Sequence, residues 1–280
     1  MSGTGGEGGL RGRFAERWWT LDRFGLTPRK LTRRLRNREE PSILCVSIPK
    51  SGTHLLERAL CLHPRLYRKL APTLLNRRVK DKRALLRSLG PGQIAMGHLR
   101  FLPQYPELIA ETGVRPIFLI RDPRDVVVSL AHYTPEHTRE DLRALFASAP
   151  EFRERLRLMI VGDRARGLPS IGDRLQHFSG WLDTEAVVVR FEDLIGPSGG
   201  GDAAGQRAVL ASIYRGIGLE VDDRLLGSIS ARLFSSVSPT FRQGSIGQWR
   251  QHFDPELERL FRDETGDHLG RYGYETAPPP

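Results

Sequence analysis

Ile43-Leu44-Cys45-Val46-Ser47-Ile48-Pro49-Lys50-Ser51-Gly52-Thr53-His54-Leu55 is the stretch from which the fold can be read. Its first six residues form a short, mostly apolar run, the pattern of a buried strand. Pro49 and Gly52 break that run. Leu55, Leu56, Ala59 and Leu60 then recur at helical spacing, which predicts a helix over Thr53 to Leu62. Between strand and helix lies a tight turn in which Gly52 permits geometry closed to other residues. The N–H groups of such a turn and of the helix N-terminus converge on one point and favour an anion. Lys50 adds a mobile charge, and Ser51 and Thr53 add hydroxyl donors. The Lys precedes the Gly, so this is not the G-x-x-x-x-G-K-[ST] loop. A plain strand-to-helix turn with a capping Ser or Thr is the alternative reading.

Outward from this turn, further buried strands are predicted at Ile94 to Met96, Pro116 to Ile120 and Ala186 to Val189. Helical spacing lies between them, at about Pro103 to Glu111, Arg124 to His132, Thr138 to Val161 and Gly172 to Asp183. Strands alternating with helices imply an α/β fold: a P-loop-like, three-layer arrangement with a central parallel sheet flanked by helices. Pro197-Ser198-Gly199-Gly200-Gly201 reads as a flexible surface loop. The expected organisation is a basic, partly disordered N-terminal arm over 1–40, a single domain over 41–275 and a disordered tail over 276–280.

A chain of 280 residues with 39% hydrophobic side chains is long enough for one large domain and too apolar for general disorder. The formal net charge of +10 suggests an anionic partner but identifies none. Much of the basic excess in the arm runs from Arg11 through Arg29-Lys30 and Arg33-Arg34 to Arg38, interspersed with Trp18, Trp19, Phe24 and Leu31. The arm could touch an anionic membrane or nucleic acid, or pack its aromatics on the domain; the second is preferred. Cys45 and Cys61 show no metal-ligand pattern, so reduced thiols and no metal are expected. With no apolar N-terminal core and no apolar run near the ~20 residues of a membrane span, a cytoplasmic protein is expected.

Four elements together resemble the sulfotransferases that use 3′-phosphoadenosine 5′-phosphosulfate (PAPS). The family's 5′-phosphosulfate loop, P-K-S-G-T-T-W, is similar to Pro49-Lys50-Ser51-Gly52-Thr53-His54-Leu55. Its 3′-phosphate element resembles Arg121-Asp122-Pro123-Arg124-Asp125-Val126-Val127-Val128-Ser129, which follows the predicted strand ending at Ile120. Near the C-terminus, R-K-G-x-x-G-x-W resembles Arg242-Gln243-Gly244-Ser245-Ile246-Gly247-Gln248-Trp249. A weaker likeness relates Y-E-D to Phe191-Glu192-Asp193.

The resemblance implies sulfuryl transfer from PAPS, without a metal, to a hydroxyl or amine of a small-molecule, glycan or lipid acceptor. It implies that Lys50, Ser51, Gly52, Thr53 and His54 hold the phosphosulfate, with Lys50 on the leaving oxygen. Arg121, Ser129, Arg242, Gln243 and Gly244 would hold the 3′-phosphate, and Phe191 would line the adenine. His98, in Met96-Gly97-His98-Leu99-Arg100, resembles the family's catalytic H-L-P with Arg100 in place of Pro, and is the expected general base. His54, His132 and Glu57 are rivals. Leu55 and Phe191 stand where the family often has Trp and Tyr, Gln243 replaces a common Lys, and Trp249 could equally anchor its loop in the core. The acceptor is expected against residues from about Thr134 to Leu182. Competing functions are a P-loop kinase or other nucleotide phosphotransferase, which lacks its Walker loop here, and a non-catalytic nucleotide- or nucleic-acid-binding protein.

Overall fold

The computed structural model describes residues 18–36, 39–69, 82–137, 140–234 and 245–274. The helices and strands in chain order are α1 (18–23), α2 (Pro28–Arg36), β1 (Ile43–Ser47), α3 (Thr53–Leu62), β2 (Tyr67–Arg68), α4 (Lys82–Arg87), β3 (Gln93–Gly97), α5 (Tyr105–Thr112), β4 (Arg115–Ile120), α6 (Pro123–His137), α7 (Glu140–Ala147), α8 (Phe152–Val161), α9 (Ile171–Ser179), β5 (Val187–Arg190), α10 (Phe191–Ile195), α11 (Ala203–Gly216), α12 (Asp223–Leu233), α13 (Pro255–Thr265) and α14 (His268–Arg271).

The strands form one sheet in the order β2-β3-β1-β4-β5, and every pairing is parallel. β1 is central, which explains why all five of its residues are buried. Alternation along the strands splits the core into two layers. Leu44, Val46, Ala95, Phe118 and Ile120 face one side, where α5, α6, α8, α9 and α13 contribute Leu108, Val127, Met159, Leu175 and Phe261. Ile43, Cys45, Ile94, Met96, Ile117 and Leu119 face the other, against Leu56 and Leu60 of α3, Leu210 and Ile213 of α11 and Ile229 of α12. The three-layer α/β architecture expected from the sequence is therefore present. Because all strands run the same way, the segments following β1, β3, β4 and β5 emerge at one edge of the sheet. They begin with Ile48, His98, Arg121 and Phe191.

Some local expectations change. The helix expected over 138–161 is two helices, and Ser148 to Glu151 separates them. Pro150 lacks an N–H, and Glu151 opens the second helix with a capping box to Glu154. The stretch expected to end at Asp183 leaves α geometry after Ser179 and continues as a 3₁₀ turn, Gly180–Asp183. Pro197–Gly199, expected as a loose loop, closes as a 3₁₀ turn with Gly199 buried. β2, α4 and the helical pair α11 and α12 were not foreseen. The tails at 1–10 and 276–280 lie outside the described residues.

Cys45 and Cys61 are free and buried, and burial pushes both thiols up, Cys61 to about 12. The described part of the N-terminal arm packs on α3. Arg58 lies over the Trp19 ring at 4.5 Å, and Lys30 donates to Cys61 O at 2.5 Å. The Glu57 carboxylate, 3% exposed, gathers Arg23 from α1, Arg68 Nη1 at 2.7 Å and His54 Nδ1 at 3.4 Å. Burial alone would raise its pKa. His54, Arg68 and Arg23 outweigh that and hold it at about 2, against an ordinary 4.5.

A carboxylate depressed in this way adds stability that is fully present above pH 4.5 and disappears as pH falls through about 2. Glu57→Gln should lower unfolding free energy at neutral pH by about 3 kcal/mol, because two guanidinium groups lose their counter-charge. Urea titrations at pH 7 and pH 3 should show the gap between wild type and variant narrowing at the lower pH.

Candidate functional site

The turn after β1 is built on two left-handed residues. Lys50 has φ 71, an uncommon backbone state for a residue with a Cβ, and Gly52 has φ 94. Gly52 has no substitute for a second reason: a Cβ there would enter the Phe191 ring. Gly52 is also the N-cap of α3 and supplies no side-chain cap, so the first N–H groups of that helix remain open to a ligand. Ser51 is completely buried and its Oγ has no hydrogen-bond partner. The capped turn considered as an alternative is therefore not what forms. Lys50 Nζ rests over the Tyr133 ring at 3.8 Å, and His54 is largely exposed beside Glu57.

His98 follows β3, next to β1. Its Nδ1 lies 2.9 Å from Ser47 O. A carbonyl only accepts, so Nδ1 carries the proton and the neutral ring presents its Nε2 lone pair. Ser47 Oγ lies 3.2 Å from the same Nδ1 and 2.7 Å from Thr53 Oγ1. One serine thus couples the histidine to the turn after β1. Burial lowers the His98 pKa below its ordinary 6.5, the Ser47 carbonyl opposes this, and the charges of His54 and Lys50 lower it further. The imidazole is neutral at neutral pH.

Arg121 follows β4 and is 7% exposed. Its Nη1 donates to Lys50 O at 3.3 Å and its Nη2 to Ser245 O at 3.1 Å. The guanidinium lies over the Phe191 ring at 4.3 Å, and its buried Nε has no partner. Phe191 is thus wedged between Gly52 and Arg121 and fixes their separation. An alternative reading of Arg121 is an ion pair with Asp122 or Asp125; the pair with Asp125 forms and the one with Asp122 does not. Asp122 is held by Arg124, with Arg124 Nη2 at 2.7 Å from Oδ2, and Asp125 lies 3.9 Å from Arg121.

Sequence reasoning missed the acids that brace this edge. Asp125 accepts the Gly247 N–H at 2.8 Å and the Trp249 N–H at 3.0 Å, tying the C-terminal segment to α6. Glu192 accepts the Asp122 N–H and the Tyr274 hydroxyl, each at 2.8 Å. Burial raises the pKa of both carboxyls, and their partners oppose it. Both residues sat inside quoted motifs, so position was a signal; their partners were not. Ser129 is one turn from Asp125 and partly exposed. Trp249 is buried with Arg124 stacked on it at 4.1 Å. Arg242, Gln243 and Gly244 lie outside the described residues.

Of the rival bases, Glu57 is engaged by Arg23, Arg68 and His54. His132 stacks on Phe152, with centroids 4.1 Å apart. Among the described residues no cluster of His, Cys, Asp and Glu could hold a metal ion, and no helix is long and apolar enough to cross a membrane.

The family model of the sulfotransferase domain matches residues 40–196, which include the turn, His98, the Arg121 segment and Glu192. The chain belongs to the sulfotransferase family. No curated protein sequence matches this sulfotransferase. Among solved structures it is similar to mouse sulfotransferase SULT7A1 complexed with PAP, at 19% identity and a TM-score of 0.60, over 85% of this chain and 88% of that one. It is also similar to a retinol dehydratase in complex with androsterone and inactive cofactor PAP, at 15% identity and a TM-score of 0.54, over 90% of this chain and 88% of that one. Those likenesses are of fold.

Asp125 gives a direct test of how this sulfotransferase holds its edge together. Asp125→Ala leaves two amides without an acceptor and should cost about 1–3 kcal/mol. Hydrogen exchange should quicken at Gly247 and Trp249 while β1 and β4 stay protected.

Proposed function

We propose that the protein transfers the sulfuryl group of PAPS to an acceptor hydroxyl or amine, with Lys50 and the α3 N-terminus on the phosphosulfate and His98 as general base. The observation that carries this reading is the Ser47 bridge, which holds a neutral histidine with a free Nε2 beside an anion-binding turn. The buried, unpartnered Ser51 Oγ and Arg121 Nε suit a donor with anionic groups at two positions.

In the reaction the acceptor oxygen attacks sulfur in line with the bond to the 5′-phosphate oxygen. His98 Nε2 takes the acceptor proton as the new S–O bond forms. The old S–O bond breaks, and the leaving phosphate oxygen gains negative charge that Lys50 Nζ and the turn N–H groups stabilise. The products are a sulfated acceptor and 3′-phosphoadenosine 5′-phosphate (PAP). Arg121, Ser129 and the segment with Arg242, Gln243 and Gly244 are assigned to the 3′-phosphate. Phe191, expected from sequence to line the adenine, is 3% exposed and sits between Gly52 and Arg121, where it supports the site from beneath. A small-molecule acceptor agrees with the androsterone in one structural neighbour. The buried free cysteines support a cytoplasmic location. Exposed Trp18, Leu21, Leu26 and Leu31 keep contact of the arm with an anionic surface within this reading.

PAP should raise the melting temperature by mass action and ATP should do so much less, since ATP lacks a 3′-phosphate. Calorimetry giving equal affinities for the two nucleotides counts against the donor assignment.

His98→Ala should lose about 10²–10⁴-fold in turnover and keep PAP affinity. Where chemistry limits the wild type, its rate should fall only below an apparent pKa lower than 6.5, because the histidine pKa is depressed. Lys50→Ala should lose turnover more than donor affinity. Unchanged turnover in either variant removes that residue from its role.

A further inference from the structure

The chain after the base is clamped to the end of α9. Leu99 O accepts the Trp181 indole N–H at 2.8 Å, and Phe101 N donates to His177 O at 2.8 Å. The Phe101 ring meets Trp181 edge-on at 5.7 Å, and Gly180 is packed against that ring so closely that a Cβ would enter it. Arg100 lies between these clamps, two residues past His98, with its side chain exposed. It stands where the sulfotransferase pattern has Pro. On α9, Arg174 precedes His177 by one turn, so both share a helix face.

The counter-charge near these groups is Asp173, whose field reaches Arg174 and His177. Among the described residues, neither Arg100, Arg174 nor His177 has a side-chain hydrogen bond or ion pair, and Arg174 Nε is buried without a partner. The neighbouring acid is already committed: Asp173 caps Ser170 N at 3.1 Å and pairs with Arg164 Nη2 at 2.8 Å. Burial first, and then the charge of Arg100, lower the Arg174 pKa to about 10, and Asp173 opposes them. Burial also lowers that of His177, followed by Arg100. A desolvated guanidinium facing another cation is unfavourable unless an anion completes the site.

We propose that Arg100 and Arg174 form an anion subsite beside His98, and that the acceptor carries a carboxylate or a phosphate or sulfate ester held there while its hydroxyl faces the base. This rests on the sulfotransferase reading and names its substrate class. An acceptor held at one end by charge presents its hydroxyl to Nε2 in a restricted set of orientations. The forked guanidinium suits planar carboxylate and tetrahedral ester alike.

The test uses the full chain saturated with PAP and four phenol probes: 4-hydroxyphenylacetate, its methyl ester, 4-hydroxyphenyl phosphate and 4-hydroxyphenyl sulfate. Calorimetry should show the acids binding at least about tenfold more tightly than the ester, the scale of one charge-assisted hydrogen bond. Comparing the carboxylate with the phosphate and the sulfate then tells which anion the site favours. Arg100→Ala and Arg174→Met should each abolish that preference and keep PAP affinity, and Arg174→Lys should restore part of it. Arg100 is exposed, so its variant folds even if Arg174→Met does not. The same ratio should appear in kcat/KM with PAPS as donor. Equal or tighter binding of the ester, binding of none of the anions, or loss of PAP affinity in Arg100→Ala overturns the subsite. Failure of the wild type to bind PAP at all would overturn the sulfotransferase reading instead.

Discussion

One buried guanidinium joins the parts of this molecule that the sheet alone leaves separate. Arg121 reaches back to the carbonyl of Lys50, forward to that of Ser245, and lies flat on Phe191. Desolvating a cation costs several kcal/mol, and carbonyls, an aromatic face and the nearby Asp125 carboxylate offset that only if all are in place together. The turn after β1, the start of α6, the C-terminal segment and α10 are consequently positioned as a unit. Asp125 and Glu192 complete the frame from below, the first through the Gly247 and Trp249 amides and the second through Asp122 N and the Tyr274 hydroxyl. The Nε of Arg121 is left without a partner in this frame.

The chemistry depends on a division of labour between cations that are paired and cations that are not. Arg153, Arg164, Arg166 and Arg271 sit in exposed ion pairs, which contribute little. Arg23 and Arg68 neutralise Glu57 and fasten the N-terminal segment and β2 to α3. Lys50 rests on an aromatic ring, and its charge helps keep His98 neutral. A net charge of +10 thus says little until each cation is matched with its partner. Matching them separates the residues that brace the fold from those able to meet an anion.

Strain and tight contact concentrate in the same few residues. Lys50 occupies a left-handed state that its side chain disfavours, and Gly52 is pressed against Phe191. Such a turn persists only when its surroundings over-determine it. Here β1 on one side, Phe191 beneath and the Arg121 bond to the Lys50 carbonyl do so. The arrangement leaves the first N–H groups of α3 without a side-chain cap.

Much of the core and of the turn after β1 was legible in the residues. A run such as Ile43 to Ile48 buries both faces only as an inner strand, and Lys50 to Thr53 reports a backbone requirement that is local by nature. The break at Pro150 was legible in principle and was outweighed by the helical spacing on either side. The pairing of α11 with α12 on the far layer was not, because their apolar stripes say that they pack and not where. The same limit applied to the site. Sequence determined which residues could bind anions or accept a proton, since that follows from side-chain chemistry and position after a strand. Only the tertiary structure decided that Ser47 links Thr53 to His98, that Glu57 is spent on Arg23 and Arg68, and that the acid nearest Arg174, Asp173, is taken up by Ser170 and Arg164. Those facts depend on contacts between residues far apart in the chain, and the energy of a buried charge is set by its neighbours rather than by its identity.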